Sequence, residues 1–403
     1  MTDGPVMASP RGSGCRIFAG ACAIALGLGV VRFDFAALGR QMLESDWVAP
    51  WAIGRLAGLN LAGYVLGSIH QTQIHGGPQL RRVLVVSLGV IVASLWLEAL
   101  GVSGWWQGVW RLLAGWASGS LMAAVPGLAL RGLRGSRRRR GTALVMAGAG
   151  LGAVVGAIAI GSLAPRSASM AWMVLAVLAS LLALPVAWLL RSSASEAPPF
   201  HERSETATAG LRGEMTSEGT RYEAGSLRAL SIGYFLMGAS QVPVVVYEPL
   251  LVSHRLGLDP GLSSDSLSLL GFGCASGALL AASLPRALAT RSMLPIASCI
   301  GLTGSLLYLF GHSLAVLAAG TFLTGVWIWV MVTLTFDRLQ ELVPESLHRR
   351  RWALLTALLG IGFMVFSFGC AGLAARHLDR VMLLGTLIMA LHVLMEFWQM
   401  QEA

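Results

Sequence analysis

The sequence predicts an all-α membrane protein with twelve transmembrane helices in two six-helix pseudo-repeats. Three observations carry that prediction. Of 403 residues, 55% are hydrophobic and only 12% charged, against about 25% charged in ordinary globular chains. The apolar residues gather in blocks of about 20, the length at which a helix crosses a hydrocarbon core of about 30 Å. One long polar stretch divides these blocks six and six.

In order, the blocks cover 17–39, 50–70, 83–104, 106–130, 141–163, 169–190, 228–252, 264–285, 292–311, 313–336, 352–375 and 380–399. The first follows Arg11 and Arg16, as a signal peptide would, but the eleven further blocks argue for a retained first span. Residues 1–16 are then a short tail, 17–190 an N-terminal six-helix bundle, and 228–403 a C-terminal bundle with its own short tail. The stretch between, "RSSASEAPPFHERSETATAGLRGEMTSEGTRYEAGSLR", mixes five arginines, six glutamates and two prolines and has almost nothing to bury. It reads as a disordered cytoplasmic linker over 191–227.

The formal charge of +9 comes from 29 basic residues, all of them arginine. With the N-terminus in the cytoplasm, most of them fall in cytoplasmic segments: Arg11 and Arg16, Arg81 and Arg82, the run "RGLRGSRRRR" from Arg131, five in the linker region, Arg286 and Arg291, Arg338, and Arg349 to Arg351. Only Arg40, Arg166, Arg255, Arg376 and Arg380 fall opposite. Such a positive-inside bias places both termini in the cytoplasm, and the expected location is the cell membrane, inner or plasma, as a multi-pass protein. The basic balance therefore reads as topology, and nucleic acid is not an expected partner.

The five cysteines lie in or beside spans with no close pair, which indicates neither a disulfide framework nor a metal site. No phosphate-binding loop, His-Glu-x-x-His or nucleophile elbow occurs, so no cofactor and no ATP-driven step are expected. An enzyme would need a clustered His/Asp or Cys/His constellation. His70, His75, His254, His312 and His377 are instead scattered over loops and helix ends.

Glycines recur in equivalent spans of the two halves. The second span has Gly58, Gly63 and Gly67 and the eighth Gly271, Gly273 and Gly277. The fifth has Gly148, Gly150, Gly152 and Gly156 and the eleventh Gly360, Gly362 and Gly369. Small residues let helix backbones approach closely in lipid, where no hydrophobic drive brings helices together.

Charges inside the spans are few: Arg32, Asp34, Arg55, Glu98, Arg111, Glu248 and Glu396, with Asp337 at a cytoplasmic end. Each costs something like 2.5 to 3.5 kcal/mol on insertion scales, so each is functional or paired before it is idle. Arg32 lies about 22 Å along its helix from Ile17, in the outer half, at a depth shared by Asp34, Arg55, Glu98 and Arg111. Residues two apart point roughly 200° apart on a helix, so Arg32 and Asp34 do not share a face. Arg111 is expected in a buried ion pair or on substrate, and Asp34 is the candidate proton carrier. A structural pairing of Arg32 or Arg111 with Asp34 or Glu98 is the plainer alternative. Arg55 and Glu98 are candidates for structural ion pairs, with Arg55 also able to snorkel outward. Glu248 precedes Pro249 near an outer end and could be wetted there. Glu396, Asp337 and His392 are expected near an interface, and Trp47, Trp51, Trp105 and Trp106 in an interfacial belt.

Several motifs carry a resemblance. "Arg111-Leu-Leu-Ala-Gly115-Trp-Ala-Ser-Gly119" and the Gly-rich run from Gly148 to Gly156 are similar to the fourth-helix and antiporter-type fifth-helix patterns of the major facilitator superfamily, although the fifth lacks the usual proline. The loop after the second span keeps Arg81-Arg82 of the superfamily's Gly-x-x-x-Asp-Arg-x-Gly-Arg-Arg motif but not its Asp-Arg core, which puts the usual latch between halves in doubt. "Gly27-Leu-Gly29-Val-Val-Arg32-Phe33", the fourth-span motif, and "Gly233-Tyr-Phe-Leu-Met-Gly238" with "Tyr247-Glu-Pro-Leu" resemble the YbfB/YjiJ-type transporters. The resemblance implies that the first, fourth, seventh and tenth helices line a central cavity. That would make Arg32, Asp34, Arg111 and Glu248 its substrate or proton pathway. The function so implied is secondary active transport of a small organic solute by alternating access, proton-coupled, with efflux one direction, in a monomer within the lipid bilayer. A transport-dead sensor or assembly factor on the same scaffold is the alternative.

Overall fold

A computed structural model of the chain describes residues 10–74, 77–133, 135–163, 167–192, 217–257, 260–284, 290–344, 347–374 and 376–401. These are helical almost throughout, with no strand among them. The first helix, α1, runs as Pro10–Ile24, Ala25–Phe33 and Phe35–Glu44. It is followed by α2 (Pro50–Thr72), α3 (Gly77–Glu98), α4 (Gly104–Ala129), α5 (Gly135–Leu163) and α6 (Ala168–Ser192). The second half opens with α7, in two pieces Ser217–Ser240 and Val242–Leu256, and continues with α8 (Pro260–Ser283), α9 (Thr290–Phe310), α10 (Leu314–Leu342), α11 (His348–Ala374) and α12 (Leu378–Gln401). Eleven of these are long and apolar enough to cross a membrane, and α8 has a shorter apolar stretch, Ser268–Ser283, among the described residues. The linker expected over 191–227 lies mostly outside the described residues. From Ser217 onward it is helix: the first turns of α7 are polar and carry no hydrophobic signature.

Local chemistry sets the boundaries. Pro50 opens α2 in the first turn, where its missing N–H costs nothing. Ser103 caps α4 by accepting from the Trp106 N–H, and Ser313 caps α10 by accepting from Val316 N–H. Gly257, at φ 60°, closes α7 in the left-handed conformation.

Glycine governs how the helices touch. A methyl group on Gly63 or Gly67 of α2 would overlap the backbone carbonyl of Leu112 or Trp116 on α4, and one on Gly273 or Gly277 of α8 that of Phe322 or Val326 on α10. The pairs α1–α5 and α7–α11 repeat this. Gly148 and Gly152 press against Ala21 and Ala25, as Gly238 and Gly362 press against Leu359 and Phe235. The same helix pairs are in backbone contact in both halves, which is the structural form of the glycine repeat. The helices α3, α6, α9 and α12 are the least buried, and apolar side chains such as Val85, Leu181, Leu306 and Leu394 stand exposed on them, as lipid-facing surfaces do. The termini share one face of the bundle because the number of spans is even. Trp47, Trp51, Trp105 and Trp106 lie at the opposite face.

Candidate functional site

The first helix of each half is discontinuous. In α1 the segment Ala25–Phe33 forms wide turns, with Asp34 N–H donating to the Gly29 carbonyl five residues back at 3.2 Å. Such widened turns are rare and gather at functional sites. Here Gly29 lets the segment lie against the Ala149–Ala153 backbone of α5, while Gly27 lies in ordinary contact with Ser118 of α4. In α7 the helix breaks at Gln241, two residues before Pro243, which has no N–H to continue it. The Gln241 amide donates back to the Met237 carbonyl at 3.1 Å, and its oxygen accepts from Arg32 Nη2 at 3.1 Å. Arg32 thus joins the two halves at the two breaks. Its guanidinium also lies 4.6 Å from the ring centre of Phe363 on α11.

Arg111, on α4, is 1% exposed. It donates from Nη1 to the Val31 carbonyl at 2.8 Å, inside the widened part of α1, and its Nε stands 3.9 Å from Glu98 Oε1. Its guanidinium lies 4.1 Å from the centre of the Phe35 ring. Asn60 of α2 donates to the Arg111 carbonyl at 3.0 Å. Between Arg32 and Arg111 lies a cavity of about the size of one water molecule, bordered also by Phe35, Asn60, Val245, Val246 and Phe363. It lies where the two halves meet.

The remaining expected site residues go elsewhere. Asp34 is fully buried, but its carboxylate lies against Gly156 of α5 and not on the cavity, and neither oxygen has a hydrogen-bond partner among the described residues. Among the described residues neither Arg32 nor Asp34 pairs with a charge on α4, where Arg111 instead stands 3.9 Å from Glu98. Glu248 is not wetted: it is buried and accepts from Thr321 of α10 at 3.2 Å, within a group that includes the Tyr308 hydroxyl of α9. It does not line the small cavity. Arg55 makes no ion pair among the described residues; it is exposed and lies 4.4 Å from the Trp51 ring centre. His392 and Glu396, expected near an interface, are buried 3.8 Å apart where α12 meets Gly233 of α7 and Trp327 of α10. Helix α12 is apolar on nearly every side, so its inward face has no signature in the sequence. Gln241 and Asn60 were missed as site residues. The one signal for Gln241 is a polar residue beside Pro243 in an otherwise apolar run.

Both faces of the bundle are closed around the cavity. On the face with the termini, Arg349 of α11 donates to the Gln71 and Ile74 carbonyls at the end of α2, at 3.1 and 2.6 Å. Nearby, Arg139 of α5 donates to the Ala281 carbonyl of α8 at 2.9 Å and stands 3.8 Å from Asp337 of α10. On the other face, Gly54 of α2 lies against the Tyr247 hydroxyl of α7 and against Ala371 of α11. Among the described residues no three His, Cys, Asp or Glu side chains gather where they could hold a metal.

Twelve helices in two matching halves, with a small cavity bordered by two arginines between their broken first helices, define a membrane transporter of the major facilitator type. The chain belongs to the family described as "Uncharacterised MFS-type transporter YbfB", whose model matches residues 24–395. Its fold is similar to that of the human organic anion transporter MFSD10 (TETRAN). The crystal structure of that protein aligns with a TM-score of 0.69 at 16% identity, over 96% of this chain and 100% of that one. At that identity the likeness shows the fold alone. No curated protein matches the sequence. The protein is thus a multi-pass membrane protein of a transporter family, and not an enzyme.

Proposed function

We propose that the protein is a secondary active transporter that carries a small organic solute by alternating access and exchanges it for protons, in the direction of efflux. The observation that carries this reading is the Arg32–Gln241 contact. It joins the broken first helices of the two halves beside an enclosed cavity, the place where such proteins hold their cargo while the halves rock about it.

Asp34 is the proton carrier in this reading. An ionised carboxylate without donor or cation is among the most costly groups to bury. A carboxyl group that alternates between the Gly156 pocket and water is suited to take up a proton as the halves close and to release it as they open. The glycine-rich α5 against which it sits resembles the antiporter pattern, which favours efflux. One chain completes the cavity, so the working unit is a monomer, placed in the inner membrane with both termini in the cytoplasm.

Vesicles reconstituted with the purified protein, loaded with a metabolite panel and given an imposed pH gradient, test this. The expected result is solute movement that follows the gradient and collapses with a protonophore. Absence of gradient-driven flux across the whole panel would count for the sensor or assembly-factor alternative.

A further inference from the structure

The cavity between the halves carries a positive charge, that of Arg32, that no acid balances among the described residues. Arg111 has Glu98 beside it at 3.9 Å, and Glu98 is the ionisable group that acts on it. Arg32 has no such partner. It is more than nine-tenths buried, it meets the neutral Gln241 oxygen and the rings of Phe33 and Phe363, and its Nε has no hydrogen-bond partner among the described residues. The two acids that could have served are turned away, Asp34 against Gly156 and Glu248 toward Thr321.

From this charge distribution we infer that the cavity selects a monovalent organic anion, with a carboxylate-type head group on Arg32 and an apolar body against Phe35, Val245, Val246 and Phe363. The inference rests on the transporter reading above and deepens it. A buried guanidinium is costly unless an anion accompanies it, and its planar fork matches a carboxylate with two parallel hydrogen bonds. A bound monoanion supplies the missing charge. A dianion would bring a second negative charge, and the other cation on the cavity among the described residues, Arg111, already stands 3.9 Å from the Glu98 carboxyl and donates to the Val31 carbonyl. A cation would meet the charge of Arg32, and a neutral solute would leave that charge unmatched.

Calorimetric titration of the protein in lipid nanodiscs with benzoate, benzamide, benzylamine and terephthalate tests this, since these share one ring and differ in charge. Benzoate should bind roughly 10-fold or more tightly than the others, the ratio expected for a charge-assisted contact. Two variants of nearly unchanged size keep the test independent of folding losses. Gln241→Glu places a carboxylate where Arg32 now donates and should abolish the preference for benzoate. Glu98→Gln releases Arg111 and should move the preference toward terephthalate by about 10-fold. Benzoate binding no tighter than benzamide binding, complete absence included, overturns the inference, as does a preference that neither variant moves. Selective benzoate binding without flux in vesicles would refute the transport reading and leave the selectivity standing. Gradient-driven flux of a neutral or cationic solute, with no benzoate preference, would do the reverse.

Discussion

A methyl group added at Gly156 would fall on the Asp34 carboxylate, so the two residues have to be read together. Gly156→Ala should displace the carboxyl group or α5 itself, an overpacking cost of about 1–3 kcal/mol. A lowered midpoint in a thermal-unfolding assay, together with lost proton-driven flux, is the expected outcome. Asp34→Asn separates the two effects, because it keeps the shape and removes the exchangeable proton. That variant should fold normally and still exchange labelled solute for unlabelled solute, while failing to accumulate it against a gradient. Wild-type accumulation by Asp34→Asn would remove the proton role from this residue. That Arg32 and Asp34 face different surroundings was legible from their spacing alone. Which of them meets the cavity was not, because the widened turns of α1 change the rotation per residue, and the only trace of them in the sequence is Gly27 and Gly29.

At the level of the helices, the loop after α2 lacks the acidic residue with which related transporters latch their halves, and the sequence alone left that joint in doubt. The contact is made from the other side. The end of α2 presents carbonyls with no intrahelical donor, and Arg349 at the start of α11 donates to one of them, that of Gln71, and to the Ile74 carbonyl just beyond the helix. Hydrogen bonds to a charged donor contribute roughly 1.5–3 kcal/mol each when buried, and less for a half-buried side chain such as this one. Arg349→Ala should therefore loosen the face that carries the termini. A maleimide probe on a single cysteine in the α2–α11 seam should react about 10-fold faster; an unchanged rate would mean that Arg139 and its neighbours hold that face without it. Such joints are hard to read from sequence because an arginine near a helix end looks the same whether it serves as a topology signal or as a cap for a helix across the interface. The Glu98–Arg111 pair was easier to anticipate, since α3 and α4 are joined by a short loop that brings their adjoining ends together.

Over the whole molecule, the two halves repeat one plan and then depart from it in charge. Arg111 follows the cap Ser103 by eight residues, and Thr321 follows the cap Ser313 by eight. The N-terminal half thus places a cation paired to Glu98 where the C-terminal half places a hydroxyl donating to Glu248. The fold was legible because it depends on block length, glycine spacing and arginine placement, all of which survive without knowledge of helix rotation. The site depends on rotation and on the two helix breaks, so only Arg32 and Arg111 of its members were legible, while Asp34 and Glu248 lie off the cavity and Asn60 and Gln241 carried no clear signal. If the halves rock as rigid bodies about the cavity, a covalent link across either face must stop the cycle. Ser68 of α2 and Thr356 of α11 have their hydroxyl oxygens 3.4 Å apart on the side of the termini, within the reach of a disulfide once both are cysteine. In a background where Cys15, Cys22, Cys274, Cys299 and Cys370 are replaced by alanine, the pair Ser68→Cys and Thr356→Cys should lose flux on oxidation and regain it on reduction. Each single variant should be insensitive to both treatments. Undiminished flux through a fully oxidised pair would mean that α2 and α11 do not separate during transport, and the rocking of whole halves would have to give way to a motion confined to fewer helices.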